Sequence, residues 1–97
     1  MFKIEKVVVD GSRFLGLKSE FEGLPPLLLV KGEKGFVMCG YLNIDAAEKV
    51  GATAAVVSGV SSFEDILNAE IRSATSKAKA LGLEPGMVVR EVIGVLA

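Results

Sequence analysis

Apolar and polar positions alternate along the first third of the chain and repeat at helical spacing over much of the rest. Residues 2–9, FKIEKVVV, carry β-branched side chains in rough alternation, which predicts a strand. Asp10-Gly11 follows, and an Asp-Gly pair between apolar runs marks a hairpin turn because glycine tolerates a positive φ. Residues 13–21 then predict the returning strand, with Gly16 marking a β-bulge inside it. Leu24-Pro25-Pro26 interrupts regular structure, since neither proline has an N–H to donate. A second antiparallel hairpin is expected from an apolar strand over 27–31, a charged turn Gly32-Glu33-Lys34-Gly35, and a strand over 36–41.

Beyond Tyr41 the pattern becomes mixed. Asn43 or Asp45 suits the N-cap of a short helix over 44–50, with Asp45 and Glu48 spaced as a capping box and Gly51 just past its end. AAVVS at 54–58 is a run of small apolar residues typical of a central strand. Strand, helix and strand in succession predict one βαβ unit with parallel strands. Phe63, Leu67, Ile71, Ala74, Ala78 and Leu81 then recur every three or four residues, predicting one long helix. It would start at a Ser61–Glu64 capping box and end at Gly82 and Pro85. In the tail, Val89, Val92, Ile93 and Leu96 fit a short helix, although their β-branching also suits a strand. The expected fold class is α+β: N-terminal antiparallel hairpins, one βαβ unit, a long helix packed on the sheet and a short C-terminal helix. Residues 1–97 form a single domain, β-rich over 1–34 and α/β over 35–97.

Composition adds an expectation about assembly. Hydrophobic residues make up 51% of the 97, and the mean hydropathy is +0.49. A domain this small has too much surface for its volume to hide so many apolar side chains. A surplus of that kind marks an interface, so a homo-oligomer is expected. The 11 basic and 12 acidic residues nearly cancel, and the pI is about 5.4. No basic stripe is present to attract nucleic acid or an anionic membrane, and neither is expected as a partner. No apolar run approaches a membrane span and no secretory leader opens the chain, so the expected location is the cytoplasm. The chain has no Gln, His or Trp and is rich in Lys and Glu, which leans towards a thermophilic source.

The same counts restrict chemistry. Without histidine there is no Ser-His-Asp or Cys-His pair, and metal sites lose their commonest ligand. A single cysteine makes neither a disulfide nor a CxxC redox pair. The glycines match no P-loop or dinucleotide fingerprint. No metal and no cofactor are expected.

What remains is a meeting of strand ends. If the strands over 36–41 and 54–58 are parallel neighbours, their C-terminal ends bring Cys39, Gly40, Tyr41 and Asn43 beside Ser58, Gly59, Ser61 and Ser62. That edge is where α/β sheets bind ligands. The helix start at Ser61-Ser62 offers backbone N–H groups to an anion, though serine there is equally a plain cap. Cys39 is a candidate nucleophile or redox thiol if the helix start lowers its pKa. In a strand of apolar neighbours it is equally a small core hydrophobe. Three readings follow: a soluble oligomer that binds a small anionic ligand or a partner at Gly40, Tyr41, Asn43, Gly59, Ser61 and Ser62; a cysteine-dependent enzyme using Cys39; or a structural subunit of a larger assembly. Whether the protein is an enzyme stays open.

Two segments, FVMCGYLNI at 36–44 and AVVSGVSSFEDI at 55–66, resemble the archaeal and bacterial proteins of domain of unknown function 1805. The resemblance rests on Gly35, Cys39-Gly40-Tyr41, Asn43, the Gly59-Val60 turn, Gly86-Met87 and Arg90-Glu91, and runs from about Pro26 to Leu96. It implies an N-terminal β-sheet region that mediates a tetramer and a helical tail, with Val92-Ile93 standing where the family has Ala-Leu. It implies no activity and supplies no catalytic residues.

Overall fold

The computed structural model describes residues 2–97. Strands β1 (Phe2–Val9), β2 (Ser12–Ser19), β3 (Leu27–Lys31) and β4 (Phe36–Met38) form an antiparallel meander. Asp10 and Gly11 both have positive φ, 49° and 83°, so the first turn is of the primed type that matches strand twist. Helix α1 (Ile44–Lys49) leads into β5 (Ala54–Val56), which pairs parallel to β4 and completes the expected βαβ unit. Next come α2 (Phe63–Asn68), the short β6 (Ser73–Ala74), α3 (Ser76–Leu81), α4 (Val89–Val92) and a 3₁₀ turn over Ile93–Leu96. The six strands lie in sequence order in one mixed sheet. The tail is helical, as its stripe predicts.

The long helix is the main correction. Residues 63–81 form two six-residue helices separated by an extended segment, not one rod. The reason lies in β5, whose residues Ala54, Ala55 and Val56 are all buried. Its second edge needs partners, because a buried backbone N–H or C=O left unpaired is costly. The 70–75 segment supplies them: the N–H groups of Arg72 and Thr75 donate to the carbonyls of Val56 and Ala54 at 2.8 and 2.9 Å. The other side of the segment is also used. Ile71 exchanges backbone bonds with Met87 and Gly86, both at 2.8 Å.

Thr75 joins this edge to the next helix. It is 1% exposed, and its Oγ1 accepts from the N–H of Ala54 at 3.1 Å and from the N–H of Ala78 at 3.3 Å. The first bond closes the β5 edge and the second caps α3. Glu48 of α1 reinforces that cap, accepting from the Ser76 N–H and Oγ–H at 2.8 Å each. Asn43, not an Asp45–Glu48 capping box, caps α1, its Oδ1 accepting from Ala46 N–H. Of the predicted stripe, Leu67, Ile71, Ala74 and Ala78 are buried, but Leu81 is exposed. The apolar spacing marks four core positions, while the backbone that joins them is extended at 73–74 rather than helical.

Core positions alternate along the meander. Val7, Val9, Phe14, Leu28, Val30 and Val37 pack in one cluster with Ile66, Leu67, Val89, Ile93 and Leu96. Gly16 sits in unbroken register opposite Glu5 and Val30, so it makes no bulge. Its role is space: a Cβ there would stand 2.9 Å from the Phe63 ring and from Val7 Cγ2. The opposite face of the hairpin, with Phe2, Ile4, Val8 and Leu15, is exposed. The strands expected to end at 21, 41 and 58 stop at Ser19, Met38 and Val56, freeing the following residues for loops.

Replacing Thr75 by valine keeps the shape but removes both acceptor roles. The expected outcome is a loss of about 2 kcal/mol or more, since two N–H groups lose their partner. Urea denaturation checks it: the midpoint should fall with an unchanged slope.

Candidate functional site

Because β4 and β5 are parallel, their C-terminal ends open side by side, and the chain leaves both in loops. A cleft of about 560 Å³ lies there, lined by Pro25, Pro26, Cys39, Gly40, Tyr41, Ser58, Gly59, Val60 and Ser61. The sequence-predicted residues Cys39, Gly40, Tyr41, Ser58, Gly59 and Ser61 therefore come together. Asn43 and Ser62 do not line the cleft. They are occupied as caps, Asn43 on α1 and Ser62 on α2, where its Oγ accepts from Asp65 N–H at 3.1 Å.

One wall comes from a segment with no motif. The 20–26 loop folds back so that the Pro25 carbonyl accepts the Tyr41 hydroxyl at 2.7 Å. The Phe21 and Tyr41 rings meet edge to face with centroids 6.2 Å apart. Phe21, Leu24 and Tyr41 remain exposed around it. The only hint in the sequence is the pair of prolines, which fix the loop's course without saying where it lands.

Cys39 is buried at 4% exposure, and its Sγ accepts from the Leu28 N–H at 3.4 Å. Its own N–H donates to the Leu28 carbonyl at 3.0 Å. The thiol thus extends the β3–β4 pairing one residue past the strand end, the part a buried small side chain plays. Among the described residues, no three His, Cys, Asp or Glu side chains gather as a metal site. No helix of the described residues is long and apolar enough to cross a membrane.

The start of α2 is arranged differently from the expected Ser61–Glu64 box. Ser62 is the cap, and Asp65 reaches back so that its Oδ2 accepts from the Ser61 N–H and Oγ–H at 3.0 Å each. These bonds, the backbone one foremost, hold the Asp65 carboxyl below its ordinary value of 3.8. Glu64 instead pairs with Arg90 at 2.6 Å. Of the donors predicted to receive an outside anion, the Ser61 N–H and Oγ–H therefore already serve the chain's own carboxylate. A different cation lies nearby: Arg72, whose guanidinium donates to Ser58 Oγ at 3.2 Å. Its place follows from the strand that replaced the middle of the long helix, so helical periodicity gave no sign of it.

Comparison with known proteins agrees with this architecture. The profile of the family described as Domain of unknown function (DUF1805) matches residues 38–96. The chain is 26% identical over 99 residues to the Uncharacterized protein YunC of Bacillus subtilis, covering 96% of this chain and 95% of that one. It also superposes on the crystal structure of a Protein of Unknown Function, TA1206 from Thermoplasma acidophilum, with a TM-score of 0.94 and 40% identity. That match covers all of this chain and 94% of the other.

The Asp65 bonds carry a pH signature. A carboxyl held low in the folded state stabilises it above the unfolded pKa, and this is lost as pH falls through the folded pKa. Asp65→Asn is expected to melt below the unaltered protein at neutral pH, the gap closing once the pH drops below the ordinary value of 3.8. Thermal melts across pH 2 to 7, over which the carboxyl titrates, measure that gap.

Proposed function

From the premise that the chain belongs to the DUF1805 family, we propose that it is an oligomeric small-molecule-binding protein whose ligand, a small anionic compound, occupies the cleft at the C-terminal ends of β4 and β5. The carrying observation is the cleft itself. Glycines 40 and 59, a tyrosine, two prolines and serine hydroxyls converge at the edge where α/β sheets take ligands. A concave, mostly apolar space with a few polar groups suits a compact ligand better than an extended chain. The buried, strand-bonded Cys39 favours a binding role over thiol chemistry.

Assembly is the second part of the proposal. The exposed Phe2, Ile4, Val8 and Leu15 share one face of the β1–β2 hairpin, by alternation and by register. An apolar sheet face of this kind supports burial against other copies of the chain, in a tetramer formed through the N-terminal β region.

Gly40 gives access to the first test. A Cβ at this exposed, cleft-lining position meets nothing within 4 Å, so Gly40→Phe is expected to obstruct the cleft without burdening the fold. A panel of small carboxylates and phosphates is screened by thermal shift. A ligand at one hundred times its Kd stabilises by about 2.7 kcal/mol, and Gly40→Phe is expected to abolish that shift. No stabilising compound in the panel, or shifts unchanged in the variant, defeats the reading. For assembly, sedimentation velocity is expected to show a tetramer that dissociates when Ile4 and Val8 are both replaced by lysine. A monomeric unaltered protein would end that part.

A further inference from the structure

We infer that Arg72 is the residue that receives the anionic group of the cleft's ligand, and that the group is an oxyanion, of which a carboxylate is the simplest case, carried on a small apolar body. The inference rests on the cleft being the binding site, and it concerns which residue sets the charge preference there.

The wall formed by the start of α2 is a poor receptor for an anion. Its Ser61 N–H and O–H are bonded to Asp65, whose carboxylate presents negative charge beside Ser61. An incoming anion there would meet repulsion and occupied donors. The Ser58 wall differs. Ser58 lines the cleft, and its hydroxyl is bonded to the Arg72 guanidinium. Among the described residues Arg72 has no carboxylate within ion-pairing distance, whereas Arg90 is paired with Glu64. A guanidinium carries five N–H donors, and the bond to Ser58 uses one.

The backbone fixes where this cation stands. The Arg72 N–H donates to the Val56 carbonyl at 2.8 Å, anchoring the residue to the edge of β5 close before Ser58. The anchored main chain and the Ser58 bond together hold the guanidinium against Ser58, which lines the cleft, while Arg72 is not itself one of the lining residues. The planar fork matches a carboxylate with two parallel N–H···O bonds, a geometry lysine does not offer. Pro25, Pro26, Tyr41 and Val60 supply apolar surface for the rest of the molecule.

Benzoate and benzamide, nearly identical in shape and differing in charge, separate the two levels of the proposal. Each is titrated into isotope-labelled protein at matched ionic strength, following the backbone amide signals of Gly40, Gly59 and Val60. Benzoate is expected to bind about tenfold more tightly than benzamide, the scale of a charge-assisted pair. In Arg72→Gln benzoate should fall to the level of benzamide, while benzamide itself is unchanged. Arg72→Lys should recover only part of the difference. The Arg72 side chain is exposed, and unshifted signals away from the cleft verify that the variants are folded. Equal binding of the two probes, with no effect of Arg72→Gln, overturns the role of Arg72 and leaves the cleft reading intact. If neither probe moves the cleft amides, the cleft reading falls and the inference with it.

Discussion

Strand β5 is short and buried throughout, and its backbone has two edges to satisfy. One edge is met by β4 in parallel pairing. The other can be met only by chain that arrives later, and the 70–75 segment is bent out of helical conformation to do so. The hydroxyl of Thr75 closes that edge and begins the next helix with the same oxygen. The strength of the constraint comes from burial: an unpaired N–H in the interior costs more than a few residues of helix propensity return. Interrupted helix, edge strand, α3 and the docking of Gly86 and Met87 all follow from that requirement.

The same requirement shapes the cleft. The parallel β4–β5 pair sets the two loop exits side by side, which makes the concavity. The edge strand then carries Arg72 along β5 to the hydroxyl of Ser58. A continuous helix would have carried that arginine elsewhere. Gly16 acts at a distance in a comparable way, since the absence of a side chain admits the Phe63 ring at the start of α2. Charge within the site is decided locally. Asp65 is three residues past the cap and folds back on Ser61, so the chain satisfies the helix start itself.

The N-terminal hairpin shows the reverse balance. Its turn and its register agree from end to end, and burial alternates around the turn, at Val7, Val9, Phe14 and Gly16. Its inner face joins the core, while its outer face keeps Phe2, Ile4 and Val8 in solvent within a single chain. Part of the surplus hydrophobicity visible in the composition lies on that face, and the rest is spread over Phe21, Leu24, Tyr41, Val50, Leu81, Met87 and Val95.

The sequence by itself determined the elements whose causes are local. These are the Asp10-Gly11 hairpin, the βαβ unit and the core positions Leu67, Ile71, Ala74 and Ala78. It also brought Cys39, Gly40, Tyr41, Ser58, Gly59 and Ser61 to one edge, because parallel neighbours with loops at the same end leave few alternatives. Tertiary structure alone decided the rest. Whether residues 63–81 form one helix or two depends on the open edge of β5, a partner outside the reading window of any helical period. Which carboxylate answers Ser61, and that the Pro25-Pro26 loop becomes a wall beneath Tyr41, depend on contacts between residues distant in sequence. Periodicity records which side chains seek the interior, while the hydrogen bonds of the buried backbone decide by what path the chain takes them there.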